Sequence, residues 1–203
     1  MQQTALTAAS LLAGLLILAA FLLYNRGDSK ISTGTWVILA LGDGLDFGSY
    51  FDMTGQDLLK NVVPFCFALG SVLTFLYALN RHRFTLPDRT DSVVIGLDLV
   101  ITGLWLCPVF LTSTDANLAY QATTILAFWP MYRGLARGIE KETVLPWALW
   151  TLAYVLFLFT HLLSGGQWEE GVFPLVGLIT HAIVLVFAIR TYREHQQRAN
   201  PAL

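Results

Sequence analysis

The stretch Thr35-Trp-Val-Ile-Leu-Ala-Leu-Gly-Asp43-Gly-Leu-Asp46-Phe-Gly-Ser-Tyr50-Phe-Asp52-Met53 decides how the chain is read. A helix needs about 20 mostly apolar residues to cross a bilayer core. This stretch has the length but carries three aspartates and three glycines, so hydropathy alone passes over it. The more apolar runs on either side give spans over 4–24, 60–80, 92–112, 117–135, 145–164 and 171–192, and this one would be the second of seven, at 34–53. Charge decides the matter. With seven spans, Arg26 and Lys30 follow the first, Arg81, Arg83 and Arg89 the third, Arg133, Arg137 and Lys141 the fifth, and Arg190, Arg193 and Arg198 the last. Eleven of the twelve basic residues then share one side and only Lys60 lies on the other. The positive-inside rule makes the crowded side cytoplasmic, which puts the N-terminus outside and the C-terminus inside. Omitting the second span destroys that separation.

Composition agrees: in 203 residues, 55% are hydrophobic and 13% charged, a balance that suits a lipid bilayer rather than water as the solvent. A net charge of -2 with dispersed basic residues gives no footprint for nucleic acid. The run from Thr4 to Tyr24 has no basic residue before it and exceeds a signal-peptide core of about 7–15 residues, so it is kept as the first helix. Cys66 and Cys107 lie in apolar stretches without CxxC or Cys/His spacing, and are expected to be small buried hydrophobes with no metal or disulfide role. No cofactor is expected.

The chain also repeats itself. Lys30-Ile-Ser-Thr-Gly-Thr-Trp36 aligns with Lys141-Glu-Thr-Val-Leu-Pro-Trp147 at an offset of 111, and Val63-Pro-Phe-Cys-Phe-Ala-Leu-Gly70 with Phe173-Pro-Leu-Val-Gly-Leu-Ile-Thr180 at an offset of 110. Order and spacing are kept, so helices 1–3 and 5–7 read as two copies with helix 4 between them. An odd number of helices would invert the second copy; the inserted helix restores a parallel repeat. The expected fold is therefore an all-α integral membrane protein of seven spans in a 3+1+3 arrangement: a first repeat over 1–90, a linker helix over 91–114, and a second repeat with a short tail over 115–203.

On these features the chain resembles the SWEET and PQ-loop superfamily. Its best motif is Ala127-Phe-Trp-Pro130-Met131-Tyr-Arg133-Gly, followed by a basic loop and Pro146-Trp147-Ala-Leu-Trp150, as in small bacterial relatives with Trp-rich starts to helices 2 and 6. Met131 stands where the family usually has glutamine, and Ala19-Ala20 where the first repeat would carry its Pro-Gln pair. The resemblance implies transport of a small solute, sugars in SWEETs or amino acids in some lysosomal members.

Ionisable groups inside a span cost on the order of 2.5–3.5 kcal/mol each at the bilayer centre and face a cavity or a partner. Asp43, Asp46, Asp98, His161 and His181 qualify. Asp43 and Asp46 lie about one turn apart on one helix face, which Tyr50 continues. The repeat sets Tyr154 opposite Asp43, His161 opposite Tyr50, and His181 opposite Ser71. These residues are expected to line a central cavity that binds solute or exchanges a proton; the alternative is that they staple helices together. Asp98, alone in the linker helix, reads as a packing contact. Pro130 is a candidate hinge or a static kink, and Gly42, Gly44 and Gly48 read as close-packing positions. Trp36, Trp147 and Trp168 sit near span ends and suit an interfacial belt, whereas Trp150 faces either solute or lipid.

Two functions follow. One is a secondary transporter or facilitator of a small polar solute, with proton linkage through an aspartate; the other is a non-transporting scaffold or receptor-like partner subunit. Homo-oligomerisation stays open. A retinal photoreceptor would need a lysine in the last helix, but Lys30, Lys60 and Lys141 are the only lysines and lie in loops or at helix ends. An enzyme is not expected, because HExxH, GxSxG and histidine pairs at metal spacing are missing.

Overall fold

The computed structural model describes residues 2–27, 33–80, 89–139 and 141–199, with side chains omitted at 2, 33–35 and 195–199. Lys30, Arg81 and Arg83, which entered the charge count, lie outside the described residues. Seven helices are present among them: α1 (Gln2–Arg26), α2 (Thr33–Met53), α3 (Leu58–Asn80), α4 (Arg89–Trp105), α5 (Ser113–Ala136), α6 (Val144–Ser164) and α7 (Trp168–Ala199). Four are long and apolar enough to cross a membrane: α1, α3, α6 and α7. The other three fall short for different reasons. α2 carries its aspartates and α5 a row of Thr, Asn and Gln side chains, while α4 has 17 residues and spans only about 25 Å at 1.5 Å per residue.

α4 ends earlier than its apolar run suggests. Pro108 has no backbone N–H and cannot continue the helix, and residues 106–110 form a turn instead. Thr112 then starts α5 with a capping box: its hydroxyl accepts from the Asp115 amide at 3.2 Å, and the Asp115 carboxylate accepts from the Thr112 amide at 3.0 Å. Hydrogen bonds from the Thr112 side chain and backbone hold the Asp115 carboxyl below its ordinary range. The box therefore contributes fully above the ordinary carboxylate range and is lost as pH falls through the lowered value.

Packing follows a regular order. α3 lies against both α1 and α2, α7 against both α5 and α6, and the two groups meet through α1 on α6 and α2 on α5. α4 rests on α5 and α2, with Gly42 facing Asp98 and Gly48 facing Trp105. Outward faces carry exposed leucines such as Leu15, Leu22, Leu73 and Leu162, an apolar surface that suits lipid. The interior is aromatic. Trp36 and Trp147, expected at the interface, are fully buried because the N-terminal ends of α2 and α6 converge on Tyr24 of α1, with ring centroids 5.3 and 6.3 Å from it. Trp168 is exposed at the start of α7. Cys66 is buried, but Cys107 is exposed in the turn that Pro108 creates.

Two glycines permit the closest helix contacts. A Cβ on Gly70 would overlap the Phe21 ring, and one on Gly177 would overlap the Tyr154 ring. Gly70→Ala should therefore lower stability by about 1–3 kcal/mol, the usual cost of overpacking. Chemical unfolding in detergent tests this, and Phe21→Leu in the same chain should recover most of the loss.

Candidate functional site

Between the two helix groups lies a cavity of about 20 Å³, room for one or two waters at about 10–15 Å³ each. Asp43, Asp46, Trp150, Tyr154 and His181 of the expected site all line it. Tyr50 and His161 do not; they line a second cavity of about 90 Å³ toward the α3 and α7 N-termini. The helical stripe is real, but its last member sits more than a turn beyond Asp46 and belongs to the next layer.

The two aspartates turn to different neighbours. The Ser71 hydroxyl of α3 donates a hydrogen bond to Asp43 Oδ2. Asp46 is bound from α5: Gln121 Nε2 donates to both carboxylate oxygens at 2.8 and 2.7 Å, and Asn117 Nδ2 donates to Oδ1 at 2.6 Å. All three side chains are buried. Sequence inspection passed over Asn117 and Gln121 because neither ionises. Two carboxamides four residues apart in a span were nonetheless a signal that one helix face is polar. Asp98 is also buried, close behind Asp43 beside Gly42, Thr123 and Thr124. It thus joins the acidic group instead of serving only to pack the linker helix.

His181 faces these acids from α7. Its Nδ1 lies 2.8 Å from the Gly177 carbonyl, which can only accept, so Nδ1 carries a hydrogen and donates it. Aromatic rings surround it: Phe67, Phe128 and Trp147 at 5.3 Å, Tyr154 at 4.9 Å and Trp150 at 5.8 Å between centroids. Tyr154 stacks on Phe67 at 4.7 Å and lies against Gly177, where a Cβ would overlap its ring.

Polar side-chain layers flank the cavity on both sides. At one end the Tyr50 ring packs on Phe173 at 5.2 Å and on Phe157 at 6.3 Å, and its hydroxyl donates to the Glu170 carbonyl at 3.2 Å. Beyond it Lys60 pairs with both Glu170 carboxylate oxygens at 2.9 and 2.8 Å, with His161 Nδ1 at 3.8 Å from the same carboxylate. At the other end Glu142, buried just before α6, accepts from Trp147 Nε1 at 2.9 Å and from the Tyr24 hydroxyl at 3.1 Å. Glu142 and Glu170 escaped notice in the sequence because both are predicted in connecting segments. Pro130 lies within an unbroken α5, two residues beyond Phe128 of the cavity wall.

Neither a family profile nor a solved structure matches the chain. Undecaprenyl phosphate-alpha-4-amino-4-deoxy-L-arabinose arabinosyl transferase 2 of Proteus mirabilis (strain HI4320) is 27% identical over 128 residues, covering 62% of this chain and 22% of that protein. The chain thus spans under a quarter of the length of this relative.

The α2–α5 clasp yields a measurable coupling. Intramembrane hydrogen bonds average about 0.6 kcal/mol and reach about 1.7, and a carboxylate with two carboxamide partners belongs at the upper end. A double-mutant cycle of Asp46→Ala with Gln121→Ala, read by unfolding in detergent, should give about 1–2 kcal/mol of coupling.

Proposed function

We propose that this chain is a membrane transporter or facilitator of a small polar solute, which passes through the acid-and-aromatic cavity between two three-helix halves. The observation that carries this reading is a small cavity where Asp43, Asp46, Ser71, Gln121 and His181 meet a wall of aromatic rings, flanked on either side by separate polar side-chain layers. Alternating access needs that layout. One layer opens to one side of the membrane while the other stays shut. The Lys60–Glu170 pair with Tyr50 would form the outer gate, Tyr24, Glu142 and Trp147 the inner one, and Pro130 in α5 a pivot beside the wall. Asp43 would hold solute or exchange a proton.

The finer fold reading goes with it: parallel 3+1+3 repeats, N-terminus outside, of the SWEET and PQ-loop kind. Several features support the repeat. α3 and α7 begin at an offset of 110. The third helix packs between the other two in each half. Side-chain contacts recur as well: Asp43 with Ser71 corresponds to Tyr154 with His181, and Phe21 against Gly70 corresponds to the Tyr132 hydroxyl on the Thr180 carbonyl. Lys60 and Glu170 are themselves equivalent by offset and are joined by their ion pair, the arrangement expected across a two-fold axis.

Orientation has a direct test. Cys107 should react with a membrane-impermeant maleimide added outside intact cells, in a chain carrying Cys66→Ser; labelling only after permeabilisation would reverse the assignment.

Function is tested by thermal unfolding of the purified protein against sugars, amino acids, nucleosides and amino sugars. The last are included because the name of the Proteus relative contains an amino pentose. A solute at about 100 times its dissociation constant should stabilise by about 2.7 kcal/mol, and Asp43→Asn should abolish the effect. If no solute stabilises the parent and Asp43→Asn is merely less stable, the acids are staples and the non-transporting scaffold takes precedence.

A further inference from the structure

Resting on the transport reading, we propose that the cavity selects a small hydroxylated organic cation, an amino alcohol by chemical class. The first argument is charge. Asp43 and Asp46 stand on the wall with Asp98 behind Asp43, and neither lysine nor arginine is among the residues lining either space. Lys60 is committed to Glu170 in the neighbouring layer. A carboxylate buried without a cation is costly, so the complementary ligand brings a positive charge.

The second argument is unmet hydrogen bonding. Asp46 is occupied by Gln121 and Asn117, but Asp43 is engaged by Ser71 at Oδ2 alone, and the buried Asp98 Oδ1 has no partner. These acceptors call for an N–H donor. On the aromatic side the indole N–H groups of Trp36 and Trp150 are buried without an acceptor, on side chains 3% and 1% exposed that line the same cavity. Buried polar groups are rarely left unpaired, so the two indoles call for a ligand oxygen. A molecule with an ammonium at one end and a hydroxyl at the other answers both demands.

The third argument is the wall itself. Trp, Tyr and Phe faces attract cations, and this wall carries Phe21, Trp36, Phe67, Trp150 and Tyr154. A simple sugar offers no charge to the acids. A carboxylate-bearing solute brings a second anion among them. At about 20 Å³ the cavity admits an amino alcohol only once a flanking layer opens, and it favours a ligand of few heavy atoms.

Purified protein would be titrated at constant ionic strength with ethanolamine, with its uncharged isostere propan-1-ol, and with propylammonium, which keeps the charge and lacks the oxygen. Thermal stabilisation should appear at concentrations at least tenfold lower for ethanolamine than for propan-1-ol, with propylammonium between them. Asp43→Asn should remove the preference for charge. Trp150→Phe should bring ethanolamine down to the level of propylammonium and leave propylammonium unchanged, an outcome that mere loss of stability does not produce. Equal effects of ethanolamine and propan-1-ol overturn the inference. Stabilisation by an uncharged solute from the wider panel, with no response to ethanolamine, also overturns it but leaves the transport reading standing. Silence from both panels ends both.

Discussion

The hydrogen bonds from Asn117 and Gln121 to Asp46 hold α2 to α5, and the interior is arranged around that clasp. In hydrocarbon a carboxylate without donors is expensive, so the two helices are bound to a single register. The register brings Asp43, one turn earlier, to the cavity wall. It also sets Tyr50, one turn later, over the far end as a lid.

Around the acids the protein is built from aromatic rings. Phe21, Trp36, Phe67, Trp147, Trp150 and Tyr154 meet from α1, α2, α3 and α6, mostly edge to face, a geometry that the ring quadrupoles favour. Such rings form stiff walls because each has only two side-chain torsions to fix. Glycine makes the arrangement possible, since Gly70 and Gly177 let Phe21 and Tyr154 lie against neighbouring backbones. The layers that flank the cavity use different chemistry: an ion pair and tyrosine at one end, a carboxylate held by indole and phenol at the other. Those contacts are polar and few, so each can be exchanged without dismantling the core.

Under the proposed repeat, matching positions hold different residues. Asp43 corresponds to Tyr154 and Ser71 to His181, so one half supplies the acid and hydroxyl while the other supplies the ring and imidazole. A repeat keeps the backbone contacts, which depend on small residues and helix spacing. Side chains facing a shared cavity are free to diverge and make its two walls unlike.

The order of the helices was legible in the sequence, because the bilayer forces about 20-residue apolar runs and basic residues mark their ends. The acids of α2 stood out through their cost in lipid. The early end of α4 was also written there in Pro108, although an apolar run concealed it. What only the tertiary structure decided is partnership. Asn117 and Gln121 look unremarkable until α5 is seen against Asp46, and Trp36 and Trp147 look interfacial until Tyr24 covers them. Tyr50 and His161 share a stripe with the cavity residues yet occupy the next layer. Periodicity along a chain reports which face a residue is on; which neighbour that face meets, and at what depth, depends on packing between helices far apart in sequence.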